Sequence, residues 1–198
     1  MISPQLVKQL RERTGAGVLD CQAALRETQG DLEQATRYLR EKGISAAAKK
    51  AGRVATDGSI TSYIHMGGKL GVLIEVNCET DFVARTDDFQ QLAKSLAMQV
   101  AAAAPPPEFV RREEIPPARL EEEAAIFRAQ IKDKPVHLIE QIVKGKLDKF
   151  CADICLLEQK FIKDPNITVK ELITQAIAKL GENITVRRFV RYRLGEQS

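Results

Sequence analysis

The hydrophobic period of this chain changes from helical to strand-like and back again, and this change restricts the fold more than any other feature. Residues 59–66 are strand-like, residues 69–77 have an apolar side chain at every second position, and the Gly67-Gly68 pair between the two runs is typical of a hairpin turn. On both sides of this region, apolar residues recur every three or four positions, as in amphipathic helices. A lone hairpin is marginally stable, so we expect a third strand at 184–192 and helices packed on the sheet. The predicted fold class is α+β.

Residues 1–43 are predicted to form a compact module of three short helices. Ser3, which precedes a proline, is typical of a helix start, and Asp31 is expected to cap the third helix. The Thr14-Gly15-Ala16-Gly17 segment is expected to end the first helix. Gly43 stands where a glycine commonly ends a helix, so we predict the end of the third helix there. A unit of this size is near the lower limit for independent folding and is typical of a docking module.

Beyond the module we predict a linker at residues 44–56 and a core domain at residues 57–198. The linker is rich in alanine, and its sequence does not decide between a short helix and a flexible segment. Within the core domain, residues 117–149 hold two charged amphipathic stretches, which predict a protruding helical hairpin. A capping box at residues 168–171 predicts the start of another helix, which Gly181 is expected to end.

The overall composition favours a globular protein and argues against two classes of partner. The chain has 198 residues, of which 44% are hydrophobic and 29% charged, and its formal net charge is +3. No broad positive field is therefore available to attract nucleic acid. No apolar run approaches the roughly 20 residues that cross a bilayer, and the chain start resembles neither a signal nor a transit segment. We expect a cytoplasmic protein that binds neither membranes nor nucleic acid.

RNA binding is one alternative that the basic residues leave open. Arginines alternate near the chain end, where a strand is predicted, but the nearby aromatic residues do not form the signature of a base-stacking platform. The residues that would carry this function are Lys49, Lys50, Arg187, Arg188, Arg191 and Arg193.

The cysteines and histidines do not form a recognisable chemical site. The chain has four cysteines, which are Cys21, Cys78, Cys151 and Cys155. They are too sparse for a disulfide scaffold and lack paired zinc ligands, so we predict buried thiols, no metal site and no cofactor. Cys78 could be combined with His65 or His137 as a nucleophile and base, but no oxyanion or phosphate-binding loop accompanies it. We predict that the protein is not an enzyme.

The segment from Glu75 to Arg85 is the most unusual stretch of the chain. It connects an apolar strand to an amphipathic helix, so its middle is expected to lie in a surface loop. Phe82 is a large apolar residue in this loop, and two interpretations of it are open. It either folds back beneath the loop and anchors the helix start, or projects into a pocket of a partner protein, as aromatic hot spots do.

Two long segments of the chain resemble the signature sequences of the translation elongation factor Ts family. They read LRERTGAGVLDCQAAL at residues 10–25 and EVNCETDFVAR at residues 75–85, in the family's order and spacing. Two further segments are also similar to family sequences, LAKSLAMQVAAAAP at residues 92–105 and KLGENITVRRF at residues 179–189. Two independent motifs in order make the resemblance specific, and it extends over nearly the whole chain.

The resemblance implies a guanine-nucleotide exchange factor for the GTPase elongation factor Tu. The N-terminal module would then be similar to ubiquitin-associated domains and would grip the GTPase domain. The core would insert Phe82 into an apolar pocket of the partner, displace Mg²⁺ and so weaken the binding of GDP. The residues implied to displace Mg²⁺ are Thr80, Asp81, Phe82 and Val83. Those implied to bind the partner from the module are Leu10, Arg11, Thr14, Gly15, Val18 and Leu19.

The chain departs from the family pattern in two respects. Gln22-Ala23 stands where the family usually has a Lys-Lys pair, so ion pairs made there are lost or moved. The chain also holds one core subdomain where longer members hold two, and because short members pair through the core, the resemblance allows a homodimer. The alternative from a different class is a scaffold or adaptor protein with the same docking module, in which Phe82 would be buried.

Overall fold

The computed structural model describes residues 2–131 and 135–196 of the chain. The α-helices in this part are α1 (Pro4–Thr14), α2 (Val18–Glu27), α3 (Leu32–Lys50), α4 (Asp81–Ala84), α5 (Asp87–Ala102), α6 (Pro117–Gln130), α7 (Val136–Ile154) and α8 (Val169–Leu180). The strands are β1 (Asp57–Ile64), β2 (Leu70–Cys78), β3 (Lys160–Phe161), β4 (Asp164–Thr168) and β5 (Thr185–Arg193), and short 3₁₀ turns lie at Arg112–Glu114 and Leu156–Glu158. The predicted α+β class is confirmed.

The strands form two separate sheets. The larger sheet has the order β1-β2-β5, so the third strand predicted near the chain end is confirmed. Within β2, Val72, Ile74 and Val76 are buried while Leu73 is exposed, which confirms that one face of the strand is apolar and covered. The smaller sheet pairs β3 with β4 in antiparallel register and was not predicted.

The chain divides into two compact units. One comprises Met1–Ile60, Glu75–Ala93 and Glu171–Thr185, and the other comprises Thr61–Ile74, Lys94–Lys170 and Val186–Ser198. The core of the N-terminal helices, in the first unit, consists of Val7, Leu10, Cys21, Ala24, Leu25 and Ala35. A core cluster of the second unit consists of Ile115, Cys151, Ile154 and Cys155. The domain boundaries that we placed at residues 43 and 56 stay a prediction.

The helix starts of the N-terminal module are confirmed, but the predicted end of its third helix is wrong. The side chain of Ser3 accepts a hydrogen bond from the Leu6 amide at 3.2 Å, and that of Asp31 accepts bonds from the next helix turn. Helix α3 does not end at Gly43 but continues to Lys50. Gly43 is buried, and a Cβ atom on it would lie 3.4 Å from the Cβ of Ala178. This glycine therefore permits close packing against α8 rather than ending the helix.

Another glycine is required where β1 begins. Gly58 has a φ of 142°, and a Cβ atom placed on it would lie 2.1 Å from the carbonyl oxygen of Val76 on β2. Only a residue without a side chain can occupy this position, because any Cβ atom would collide with the neighbouring backbone.

Helices α6 and α7 occupy the region where a helical hairpin was predicted. The guanidinium of Arg128 on α6 donates two hydrogen bonds to the carboxylate of Glu140 on α7, at 2.8 and 2.9 Å. The ammonium of Lys146 also lies 5.3 Å from the ring centre of Phe127. Helix α7 ends at Ile154, beyond the predicted limit at 149. The predicted connection between the helices falls on residues 132–134, which lie outside the described residues.

Candidate protein-binding site

The predicted Mg²⁺-displacing residues Thr80 to Val83 lie together in one tight turn. Thr80 caps α4, and its hydroxyl oxygen accepts a hydrogen bond from the Val83 amide at 3.4 Å. The middle of this segment is therefore a single helical turn rather than the irregular loop that we expected. The side chain of Phe82 is 80% exposed. The interpretation in which Phe82 folds back beneath the loop is therefore wrong.

The C-terminal side of α4 is fixed by bonds within its own segment. The hydroxyl of Thr86 donates to the Val83 carbonyl at 2.8 Å, and the side-chain amide of Gln90 donates to the Ala84 carbonyl at 2.7 Å. Asp81 forms an ion pair of 2.8 Å with Arg85 one turn later. Arg85 is exposed and Asp81 is partly exposed, so this pair contributes little to stability.

The N-terminal side of α4 is held by residues from a distant part of the chain. The carboxylate of Glu182 accepts hydrogen bonds from the amides of Glu79 and Thr80, both at 3.0 Å, and from the Thr80 hydroxyl at 2.6 Å. In return, the carboxylate of Glu79 accepts a bond of 2.6 Å from the amide of Asn183. The side chain of Asn183 is itself fixed, because it donates to the Arg53 carbonyl at 2.8 Å.

The sequence reasoning missed Glu182 and Asn183 as residues of this site. Both lie in the segment KLGENITVRRF, whose resemblance to the family was noted without any role for its residues. They follow the Gly181 helix end, which is confirmed by a φ of 81°. The one signal that pointed to them was that resemblance, because hydrophobic period and capping patterns do not report contacts between distant segments.

The thiol of Cys78 supports the same turn and is not a reactive group. Burial, followed by the negative charge of Glu182, raises the pKa of this thiol to about 11. Its Sγ donates a hydrogen bond of 3.2 Å to the Thr80 carbonyl. A neutral thiol is a weak nucleophile, so the geometry does not favour the Cys78 nucleophile that we considered from sequence. All four cysteines are free and buried, as predicted.

In the N-terminal module, the predicted binding residues have different surroundings. Leu10 is fully buried in the core of the three helices. It has no surface to offer a partner, so its predicted binding role is corrected to core packing. Arg11 and Gly15 are exposed, and Gly15 ends α1 with a φ of 66°. Thr14 holds this helix end, because its hydroxyl donates to the Leu10 carbonyl at 2.7 Å and accepts from the Ala16 amide at 3.3 Å.

Val18 and Leu19 form an exposed apolar pair at the first turn of α2. Leu19 is 79% exposed. An exposed leucine alone is ordinary, but this pair directly follows the exposed α1–α2 connection. Gln22 and Ala23, at the position of the family's basic pair, are half-buried.

Other chemical sites are limited within the part of the chain that the structure describes. Residues 2–131 and 135–196 contain no group of three or more His, Cys, Asp or Glu residues arranged to hold a metal ion. None of the helices described there is both long and apolar enough to cross a membrane. Of the arginines considered for RNA binding, Arg191 is engaged with the carboxylate of Glu196 at 2.7 Å.

Comparison with known proteins gives a consistent result over nearly the whole chain. The sequence model of the family described as "Elongation factor TS" matches residues 22–196. The protein named elongation factor Ts from Carboxydothermus hydrogenoformans is 58% identical over 198 residues, which cover 99% of this chain and 90% of that relative. The protein of the same name from Fervidobacterium nodosum is 57% identical over 197 residues, covering 98% of this chain and 99% of the relative.

Proposed function

Because this chain belongs to the elongation factor Ts family and is thus a translation elongation factor, we propose that it is a guanine-nucleotide exchange factor for elongation factor Tu. In this proposal it binds the GTPase in the cytoplasm, displaces Mg²⁺ and releases GDP. The protein makes and breaks no covalent bond, so it is not an enzyme and requires no cofactor of its own.

The observation that carries the proposal is the exposure of Phe82 on a turn that is already formed. A large aromatic side chain gains nothing by projecting into water, whereas burial in a partner's pocket is strongly favourable. The backbone of the turn is fixed on both sides, so little conformational entropy is lost when a partner binds. Phe82 therefore has the properties of an anchor residue, and Asp81 beside it supplies a negative charge near the proposed Mg²⁺ region.

The proposed mechanism is a coupling between two binding equilibria. Mg²⁺ bridges and neutralises the phosphate oxygens of a bound nucleotide, so its displacement should weaken GDP binding. If the factor lowers the affinity of the GTPase for GDP, GDP lowers the affinity for the factor by the same ratio. Exchange is complete when a new nucleotide displaces the factor.

The N-terminal module would provide the second contact in this proposal. Arg11, Gly15, Val18 and Leu19 offer exposed surface, while Thr14 fixes the helix end between them. Contacts made by these residues would supply affinity that does not depend on the displacement of Mg²⁺.

The direct test is the release of a fluorescent GDP analogue from elongation factor Tu with wild-type protein and with Phe82→Ala. We expect wild type to accelerate release. The release rate promoted by the variant should be at least about tenfold lower, because an aromatic anchor is removed. Met66→Ala is the matched control, since Met66 is also exposed and apolar but lies in the β1–β2 turn outside the proposed site. It should behave as wild type.

Three outcomes would count against parts of the proposal. Equal activity of Phe82→Ala and wild type would move the origin of exchange away from this turn. An unchanged contribution of Phe82 after Mg²⁺ is removed with a chelator would contradict displacement of the ion as its role. No acceleration by folded wild-type protein would favour the adaptor alternative, against which the exposure of Phe82 already counts.

We also propose that the chain forms a homodimer through the open face of its larger sheet. In the second compact unit this face carries Ile64, Leu73 and Tyr192, all of them exposed. Gly71 has no side chain, and this absence lets the Ile64 side chain pack close to its backbone. A Cβ atom on Gly71 would lie 3.0 Å from the Ile64 side chain. Adjacent exposed apolar residues of this kind are typical of protein interfaces.

The substitution Tyr192→Lys should convert this dimer to a monomer, because it places a charge in an apolar interface. Sedimentation velocity measures the change in mass. Ile126→Lys is the control, since Ile126 is exposed on α6, and it should leave the mass unchanged. A wild-type protein that sediments as a monomer at high concentration would contradict the dimer.

A further inference from the structure

Helix α4 is too short to determine its own geometry. It contains four residues, Asp81–Ala84. Formation of a first helical turn is unfavourable because several backbone dihedrals must be fixed for a single hydrogen bond. Its exposed Phe82 makes no compensating contribution by burial. The conformation of this turn must therefore be imposed by neighbouring groups.

Glu182 is the group that connects the turn to the rest of its compact unit from the N-terminal side. Its carboxylate receives the amides of Glu79 and Thr80 through one oxygen and the hydroxyl of Thr80 through the other. These bonds are charge-assisted and therefore stronger than bonds between neutral groups. With its two oxygens engaged by two consecutive residues, the carboxylate fixes both the position and the direction of the backbone that enters α4.

The Thr80 hydroxyl transmits this constraint into the helix. It donates its hydrogen to Glu182 at 2.6 Å and accepts the Val83 amide at 3.4 Å. Because a hydroxyl has one hydrogen, donation to the carboxylate leaves its lone pairs facing the helix amides. Removal of the carboxylate would free the hydroxyl to rotate and would leave two backbone amides without this acceptor.

The opposing contact keeps Glu182 itself in place. The carboxylate of Glu79 accepts the amide of Asn183, the residue next to Glu182, at 2.6 Å. Arg53 lies 3.6 Å from the same carboxylate, and its carbonyl holds the side chain of Asn183. Asn183 is buried. A side chain of each segment therefore binds the backbone of the other, which resists sliding of the two segments.

We propose that Glu182 is a positioning residue for nucleotide exchange, which holds the Thr80–Val83 turn in the conformation that presents Phe82 to the GTPase. The inference rests on the proposed exchange function. It adds to that function a residue that lies outside the partner pocket into which Phe82 would insert. Glu182 acts through Thr80 and α4. Its contribution should therefore disappear when Phe82 is absent.

The test is a double-mutant cycle on release of the fluorescent GDP analogue from elongation factor Tu. Glu182→Ala should slow factor-promoted release by roughly tenfold, because charged hydrogen bonds to three groups are lost. Glu182→Gln should fall between Ala and wild type, since it keeps an acceptor oxygen at the same reach. In the Phe82→Ala background, Glu182→Ala should have little further effect. Glu140→Gln removes a carboxylate from a different ion pair and serves as the control.

Amide hydrogen exchange of the free protein gives a second measurement that does not require the GTPase. Glu182→Ala should lose protection at the Glu79 and Thr80 amides while the helices of the N-terminal module keep theirs. If Glu182→Ala slows release equally with and without Phe82, its role is general stability and the inference is wrong. Lost amide protection with unchanged release would also overturn it.

The failure of this inference differs from the failure of the proposed function. If wild type accelerates release and Phe82→Ala retains only a reduced but measurable acceleration, the exchange function stands and the Glu182 variants in the two backgrounds decide the inference. If folded wild-type protein gives no acceleration, the proposed function fails and the inference that rests on it fails as well.

Discussion

Cys78 and Cys155 illustrate how burial makes a reactive residue type chemically quiet. Burial raises the pKa of the Cys78 thiol to about 11, and burial together with the charge of Glu158 raises that of Cys155 to about 12. Both thiols stay protonated at neutral pH. In this state Cys78 donates to the backbone of the Thr80 turn, so its role is structural.

These raised pKa values predict a loss of stability in alkaline solution. In the unfolded chain the thiols ionise near their ordinary value of 9.0, whereas folded Cys78 retains its proton up to pH about 11. The stability that the protonated Cys78 thiol contributes is therefore complete below pH 9.0 and declines as the pH rises towards 11. Urea unfolding at neutral and alkaline pH should show that wild type loses on the order of 1–2 kcal/mol more than Cys78→Ala across this window. Parallel pH profiles of the two proteins would contradict the prediction.

Helices α3 and α7 each contain an internal glycine, and the two glycines differ in whether neighbouring atoms limit the size of a side chain. Gly43 in α3 is buried against α8, whereas Gly145 in α7 is exposed, with no neighbouring atom within 4 Å of a Cβ placed on it. Neither glycine ends its helix. The first is explained by packing, and nothing in the structure requires the second.

Substitutions at these two glycines should therefore separate helix propensity from packing. Gly43→Ala should be neutral or stabilising by up to about 1 kcal/mol, because its Cβ reaches ordinary contact distance. Gly43→Leu should be destabilising by about 1–3 kcal/mol, because α8 leaves no space for it. At Gly145 both alanine and leucine should stabilise. Urea unfolding measures each change, and a tolerated Gly43→Leu would show that α3 and α8 do not pack as described.

At the scale of the whole molecule, the structural features that were predicted correctly are mainly those that a few neighbouring residues determine. The side-chain caps of Ser3 and Asp31, the β1–β2 hairpin and the Gly181 helix end each depend on a few consecutive residues. The smaller sheet lacked such a signal, because β3 has two residues and β4 contains Pro165, which disfavours a strand assignment. The continuation of α3 was missed because the contact that explains Gly43 is with a helix far along the chain.

The candidate site divides in the same way. The resemblance predicted Thr80 to Val83 as site residues, but the sequence left the exposure of Phe82 undecided, since a loop aromatic can face either way. The geometry decides that question. The sequence also assigned Leu10 to binding, because a motif does not distinguish its core residues from its surface residues. Glu182 was missed because it joins the site through contacts more than 100 residues apart.

The distance along the chain between Glu182 and its partners also has a consequence for how the protein is made. The amide of Glu79 and its acceptor on Glu182 are separated by 103 residues. A ribosome synthesises the chain from its N-terminus, so the N-terminal helices and the Phe82 turn emerge well before residue 182. During that interval the nascent chain exposes Phe82 on a segment that the Glu182 carboxylate has not yet fixed. We therefore expect the proposed exchange activity to arise late in synthesis, after Glu182 has left the ribosome and closed this long loop.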